Sequence, residues 1–195
     1  MKKTHILSTA LLCALLTGCI SDMLAPRADP TKFYLLDAPA QPKKFEAKAP
    51  VILSSVVLAG YLDRTQITTL GNGAEAKVSE FDRWVEPPEG MFSRNFARCI
   101  AENLGGSKVY LYPESPADPT GAVNVRITVY KCIGKIGGDL EFAVRWTKNE
   151  HLKNGSRIYA FKKTVPAGKG YDGYVNAIAQ CVSEASASIA KSISE

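Results

Sequence analysis

Two stretches in the second half of the chain alternate between hydrophobic side chains and polar or smaller ones. Residues 123–130 alternate aliphatic side chains with polar ones and a tyrosine, and residues 140–147 repeat the pattern with Leu140, Phe142, Val144 and Trp146. A period of two places one set of side chains on each face of a strand. Both stretches are therefore predicted to be strands with one face in the core. A turn at Asn154 and Gly155 should lead into a third strand, Arg157–Val165.

The first half contains shorter strand patterns. They are rich in β-branched and aromatic residues and cover Phe33–Leu36, Val51–Leu58, Gln66–Leu70, Ala76–Glu80 and Lys108–Tyr112. The third and fourth flank Gly71, Asn72 and Gly73, which favours a hairpin. Two connections rich in proline, Ala38–Pro50 and Glu114–Gly121, should be loops.

Helical periodicity occurs twice. Pro87 and Pro88 are predicted to open a helix that ends near Leu104, before Gly105 and Gly106. A last helix should begin near Asp172, a plausible N-cap. The two apolar stripes are formed by Phe92, Phe96, Cys99, Ile100 and Leu104, and by Tyr174, Ile178, Cys181, Val182, Ala185 and Ile189. This order of elements predicts an α+β fold, a mainly antiparallel sheet with two helices packed on one face in a two-layer sandwich.

The N-terminus has the pattern of a bacterial lipobox. Lys2 and Lys3 precede an apolar run, Ile6–Leu16, and the small residues Thr17 and Gly18 lead to Cys19. Such a segment is typical of a secretory signal that ends in a lipid-modified cysteine. It is too short to span a bilayer, which needs about 20 apolar residues. Residues 1–18 are predicted to be removed and Cys19 to carry the lipid; the alternative is an ordinary signal peptide in which Cys19 is incidental.

The predicted lipid anchor and the residues that follow it indicate where the protein resides. Each buried methylene adds about 0.8 kcal/mol of membrane affinity, so several acyl chains hold a protein stably. Ile20 and Ser21 follow the cysteine, where an aspartate commonly signals retention in the inner membrane. The predicted location is therefore the periplasmic face of the outer membrane. Residues 19–30 should form an acylated tether and residues 31–195 a single α+β domain.

Charge and cysteine content narrow the function further. The net charge is +5 and falls to +3 when Lys2 and Lys3 leave with the signal, and this charge is too small to indicate nucleic-acid binding.

Cys99, Cys132 and Cys181 would remain in an oxidising compartment. A disulfide between Cys99 and Cys181 would join the two helices. It is an equal alternative that all three are small core residues.

The sequence contains few residues that could form a catalytic site. His151 is the one histidine after the signal, and no nucleophile motif accompanies it. Asp82, Glu86 and Glu89 cluster where the first helix begins and could share a proton, but acidic residues at that position also stabilise a helix dipole. The sequence predicts a protein that is not an enzyme and has no cofactor or metal site.

Two segments carry a family resemblance. They are Tyr61–Ile67, which reads YLDRTQI, and Glu80–Pro87, which reads EFDRWVEP. Together with Phe33–Leu36 near the tether and the C-terminal amphipathic helix, they resemble the ABC-type transport auxiliary lipoproteins, the PqiC or YmbA group. The similarity extends over about residues 31 to 193.

The resemblance implies a function in transport. Such a protein would be a non-enzymatic, outer-membrane-anchored component of a system that moves lipids or other hydrophobic molecules between membranes. Its implied partners are an MCE-domain periplasmic protein, an ABC or integral membrane transporter subunit, and further copies of itself around a conduit. The alternatives are a lipoprotein that binds a hydrophobic ligand and an envelope-structural lipoprotein, neither with a transporter partner.

The candidate partner-binding residues are Tyr61, Leu62, Asp63, Arg64 and Trp84. Tyrosine, tryptophan and arginine are enriched at the energetic centres of interfaces. The alternative is structural: Tyr61 and Trp84 pack in the core, while Asp63 and Arg64 pair to fix a turn.

Overall fold

The computed structural model describes residues 28–39, 45–106, 109–150 and 156–195. These ranges do not include the predicted signal, the predicted lipid-attachment residue Cys19, His151 or the predicted turn at Asn154 and Gly155. The described strands are β1 (Lys32–Tyr34), β2 (Val51–Leu58), β3 (Gln66–Leu70), β4 (Ala76–Trp84), β5 (Val109–Leu111), β6 (Val123–Gly134), β7 (Asp139–Glu150) and β8 (Ser156–Pro166). The described helices are α1 (Pro88–Asn103) and α2 (Gly170–Ser194).

The described strands form two mixed sheets, not one mainly antiparallel sheet. The larger sheet has the order β5-β2-β6-β7-β8, with β2 parallel to both of its neighbours and β6, β7 and β8 antiparallel. The smaller has the order β1-β4-β3, with β1 parallel to β4. The prediction was wrong on this point because residue alternation shows which face of a strand is buried, whereas parallel partners are brought together by long crossovers.

Both helices pack on the larger sheet. Helix α1 contacts β2 and β5, α2 contacts β7 and β8, and the helices contact each other. On β6, Val125, Ile127 and Val129 are fully buried, whereas Arg126 on the opposite face is exposed. The predicted α+β class is thus confirmed, and Thr31–Glu195 forms one compact unit. Neither described helix has the length and hydropathy of a membrane-spanning segment.

The ends of the helices follow from proline and glycine chemistry. Pro88 begins α1, and Gly105 and Gly106 after it have φ angles of +70° and +82°, which favour glycine. Helix α2 begins at Gly170 with Lys169 as its N-cap. The prediction of Asp172 as the N-cap was therefore wrong. Asp172 lies in the first turn, where its charge favours the helix dipole.

The three cysteines of the described chain are buried free thiols. Cys99 lies on α1, Cys132 on β6 and Cys181 on α2. The Cys99–Cys181 disulfide is not formed in this structure, in which all three behave as small core residues. Burial raises the pKa of Cys99 to about 11 and that of Cys181 to about 12, and it raises the pKa of Cys132 as well. The thiols therefore stay protonated at neutral pH, the unreactive form.

Thiol labelling checks this arrangement. In the folded, lipidated protein we expect no reaction of Cys99, Cys132 or Cys181 with a maleimide at pH 7, because the thiols are buried and protonated. After unfolding in guanidinium without a reductant, mass spectrometry should show all three labelled. A single label would mean that two of the cysteines form a disulfide, and labelling before unfolding would contradict their burial.

Candidate partner-binding site

The first motif lies in the loop between β2 and β3. Backbone hydrogen bonds shape this loop: the N–H of Leu62 donates to the carbonyl of Ala59 at 2.8 Å, and that of Arg64 to the carbonyl of Leu62 at 2.9 Å. Asp63 and Arg64 form its exposed tip. No described ion pair joins these two side chains. The turn is therefore held by the backbone, and both charged groups face solvent.

The base of the loop is fixed to the larger sheet. Tyr61 is half-buried, and its hydroxyl oxygen accepts a hydrogen bond from the backbone N–H of Cys132 on β6 at 3.0 Å. Burial raises the pKa of Tyr61. Leu62 packs against the core, and the hydroxyl of Thr68 donates to the carbonyl of Tyr61 at 3.2 Å. The exposed tip is thus mounted on an anchored base.

The second motif meets the first at Trp84. The backbone N–H of Trp84 donates to the carbonyl of Thr65 at 2.7 Å, and its side chain is 6% exposed. We call the packed region beneath the loop the motif junction; it is lined by Tyr61, Leu62, Gln66, Ile67, Thr68, Trp84, Cys132, Tyr174 and Ile178. Its cavity measures about 10 Å³, at the lower limit of what one water molecule needs. The junction is therefore filled by side chains.

Tyr174 makes two hydrogen bonds that the sequence did not predict, since its spacing placed it only on the apolar stripe of the last helix. Its hydroxyl donates to the carbonyl of Thr68 at 3.1 Å and accepts from the N–H of Gly134 at 3.2 Å. Burial raises its pKa, so the hydroxyl keeps its proton. One side chain of α2 thereby joins β3 of the smaller sheet to β6 of the larger one. The helical spacing of Tyr174 gave no signal of these partners.

Asn95 is a second residue that sequence reasoning missed. Its amide nitrogen donates to the carbonyl of Leu36 at 2.7 Å, and its amide oxygen accepts from the N–H of Ala38 at 2.9 Å. The side chain of Asn95 thus acts on the segment after β1 as a neighbouring strand would. Arg98 adds a hydrogen bond from Nη2 to the carbonyl of Ala38 at 2.6 Å. The one available signal was a polar residue beside the apolar stripe of α1.

Two of the three acidic residues near the start of α1 have side-chain partners. Asp82 accepts hydrogen bonds from the hydroxyls of Tyr34 at 2.9 Å and Ser79 at 2.8 Å. Burial and the hydrogen bond to Asp82 raise the pKa of Tyr34 to about 12. Glu86 forms an ion pair with Arg94. Within the described ranges, no group of three or more His, Cys, Asp or Glu side chains is placed to hold a metal ion.

Residues 34–190 match the family described as ABC-type transport auxiliary lipoprotein component. The chain belongs to this family. The match includes both motifs, the loop tip and the motif junction, so the candidate residues lie within the family domain. Membership identifies an auxiliary lipoprotein component of ABC-type transport, as the resemblance of the two motifs implied.

Two solved structures share the fold of this auxiliary lipoprotein. A crystal structure of an uncharacterized protein has a TM-score of 0.70 and 17% identity, and the match covers 84% of this chain and 99% of that one. The protein XCC0632 from Xanthomonas campestris has a TM-score of 0.64 and 11% identity, with 81% and 92% covered. No curated protein is similar enough to the chain to count as a match. At these identities the likeness shows the fold alone.

Proposed function

We propose that this auxiliary lipoprotein is anchored through Cys19 to the periplasmic face of the outer membrane and serves an MCE/ABC-type system that carries lipids between membranes. Family membership supports the role in transport. The lipobox supports the anchor, and Ile20 after the cysteine supports the outer membrane. The proposed role is docking and requires no catalysis, which agrees with the structural partners of Asp82 and Glu86.

The observation that carries the proposal is the exposed tip of Asp63 and Arg64 on an anchored base. Tyr61 and Trp84 hold the loop through hydrogen bonds and burial, so the loop would lose little conformational freedom when a partner binds. Arg64 can form bidentate contacts with a carboxylate, and Asp63 can pair with a basic residue. We propose that this tip contacts an MCE-domain periplasmic protein or a transporter subunit.

The packing of the domain disfavours the alternative of a carrier for a hydrophobic ligand. Sites for small molecules usually measure about 300–1,000 Å³ and are mostly apolar. The motif junction offers about 10 Å³. A groove of about 360 Å³ on the larger sheet is open and polar, lined by Ser54, Asn124, Val125, Arg126, Thr147 and Asn149. A second groove of about 340 Å³ beside α2 is also open and carries charged groups, being lined by Phe45, Phe161, Ser183, Glu184, Ala187, Ser188 and Lys191. None of these three spaces in the described part of the chain is an enclosed apolar cavity for a lipid chain.

Crosslinking in cells tests the docking role. We expect the lipidated protein, purified after mild crosslinking, to bring with it an MCE-domain protein or an ABC transporter subunit identified by mass spectrometry. Arg64→Ala should reduce that recovery at least about tenfold, the effect of losing one charged contact at an interface centre. Its melting temperature should not change, because Arg64 is exposed and forms no described ion pair.

Arg126→Ala is the matched control, since Arg126 is an exposed arginine on the larger sheet. It should leave both recovery and melting temperature unchanged. A fall in melting temperature for Arg64→Ala would assign the loop tip a structural role. Recovery of only peptidoglycan-associated or surface-assembly proteins from the unmutated chain would favour the envelope-structural alternative.

A further inference from the structure

The outward face of the smaller sheet is apolar and exposed. Alternation along β1 and the residue after it turns Tyr34 into the core and Phe33 and Leu35 outward. In the parallel register Tyr34 lies beside Trp84, which is also buried, and Phe33 lies beside Arg83. We call this surface the apolar sheet face; its four large hydrophobic residues and their exposures are Phe33 65%, Leu35 59%, Phe81 43% and Val85 55%.

Four such residues on one face of a three-stranded sheet form a patch. Single exposed hydrophobic residues are ordinary, but grouped ones usually mark a surface that contacts another protein or a membrane. Arg83 lies among them, and its guanidinium turns aside to donate to the carbonyl of Glu80 at 3.2 and 3.3 Å. The segment Phe33–Leu36 and the second motif both contribute to this face, because each strand turns alternate residues inward and outward.

The position of β1 in the chain favours a lipid bilayer as the surface that covers the apolar sheet face. Phe33 follows the predicted lipidated Cys19 by 14 residues. A chain of that length spans at most about 50 Å when extended and about 20 Å on average when flexible. The apolar sheet face begins where the segment between Cys19 and Phe33 joins the domain. The lipid anchor would therefore keep this face close to the bilayer, which raises its effective concentration there.

We propose that the apolar sheet face rests on the bilayer that carries the anchor, with Phe33 and Phe81 inserted at the boundary of headgroups and acyl chains. Aromatic and aliphatic side chains next to a basic one suit that boundary, and Arg83, beside Phe33 in the strand register, supplies the basic group. This inference rests on the lipid anchor of the proposed function. It gives the domain a fixed orientation that a flexible tether alone would not impose.

Site-specific fluorescence tests the orientation. Phe33→Cys and Ile158→Cys replace two equally exposed hydrophobic residues, 65% and 66%, one on the apolar sheet face and one on β8 of the larger sheet. Each lipidated variant is labelled with an environment-sensitive dye, which the buried native thiols should not accept. The proteins are then reconstituted into vesicles of phosphatidylethanolamine and phosphatidylglycerol, with and without spin-labelled lipid.

We expect a severalfold rise in emission at position 33, a shift to shorter wavelength and quenching by the spin-labelled lipid, with none of these at position 158. If the dye stays exposed to water at both positions in protein that floats with the vesicles, the inference is wrong and the lipid anchor is unaffected. A shift at position 33 without lipid quenching would mean that a protein covers this face, and would also overturn it. Protein that does not float would overturn the anchor and the inference together.

Discussion

Replacing Trp84 by alanine is expected to lower the free energy of unfolding by about 4 kcal/mol. The indole is 6% exposed, lies beside Tyr34 in the register of β1 and β4, and lines the motif junction with Ile67 and Ile178. The surrounding side chains belong to strands and a helix that cannot close around the lost volume. The alanine variant would therefore keep a cavity where the native junction has almost none.

Denaturant titration of the purified lipidated protein, followed by circular dichroism, measures this loss. Phe81→Ala is the matched control, because Phe81 is an aromatic residue of the same strand with 43% exposure. It should change the free energy of unfolding by less than about 1 kcal/mol. Equal losses for the two variants would contradict the burial of Trp84 as the cause.

The Trp84 variant also separates the two roles within the motifs. Trp84→Ala should lose partner recovery together with stability, since the loop tip depends on the junction beneath it. Arg64→Ala should lose recovery alone. The contrast would show that the motifs combine a buried support with an exposed contact, and that the five candidate residues do not share one role.

Replacing Asn95 by alanine is expected to cost about 3 kcal/mol of unfolding free energy. The change leaves the carbonyl of Leu36 and the N–H of Ala38 without their amide partner in a buried position. An unpaired buried backbone group costs about 1–3 kcal/mol, which is more than the net contribution of about 1 kcal/mol from a typical hydrogen bond. The segment after β1 should loosen first, because this side chain acts as its neighbouring strand.

Hydrogen exchange measured by mass spectrometry locates the effect of Asn95→Ala. Exchange in the peptide containing Ala38 should accelerate more than in β6, the central strand of the larger sheet. Asn72→Ala is the matched control, since Asn72 is exposed and its side chain accepts one hydrogen bond, from Lys135 at 3.4 Å. A uniform rise in exchange would indicate general destabilisation and contradict a local role for Asn95.

Periodicity predicted most of the strands and helices, and it did so best where one face is buried. The strand at Val51–Leu58 and the hairpin around Gly71–Gly73 are confirmed. Strand β4 was predicted to end at Glu80 but continues to Trp84, because its pairing with β1 extends it through the second motif. That pairing joins segments about fifty residues apart, a distance at which local pattern carries no information.

The partner-binding role of the candidate residues stays a prediction. The structure brings the two motifs together through the hydrogen bond between Trp84 and Thr65. Their residues divide by exposure: Tyr61 and Trp84 support the loop from below, and Asp63 and Arg64 face solvent. The sequence could not make this division, since aromatic and charged residues occur in both cores and interfaces.

The sequence by itself determined the family, the α+β class and the faces of the strands, because motifs and hydrophobic periods are local properties of the chain. Tertiary structure alone decided the parallel pairing of β2, the partners of Asn95 and Tyr174, and the grouping of Phe33, Leu35, Phe81 and Val85 on one surface. Each of these joins residues far apart in the chain. Such contacts depend on which segments pack together, and that choice minimises the free energy of the whole domain rather than of any one segment.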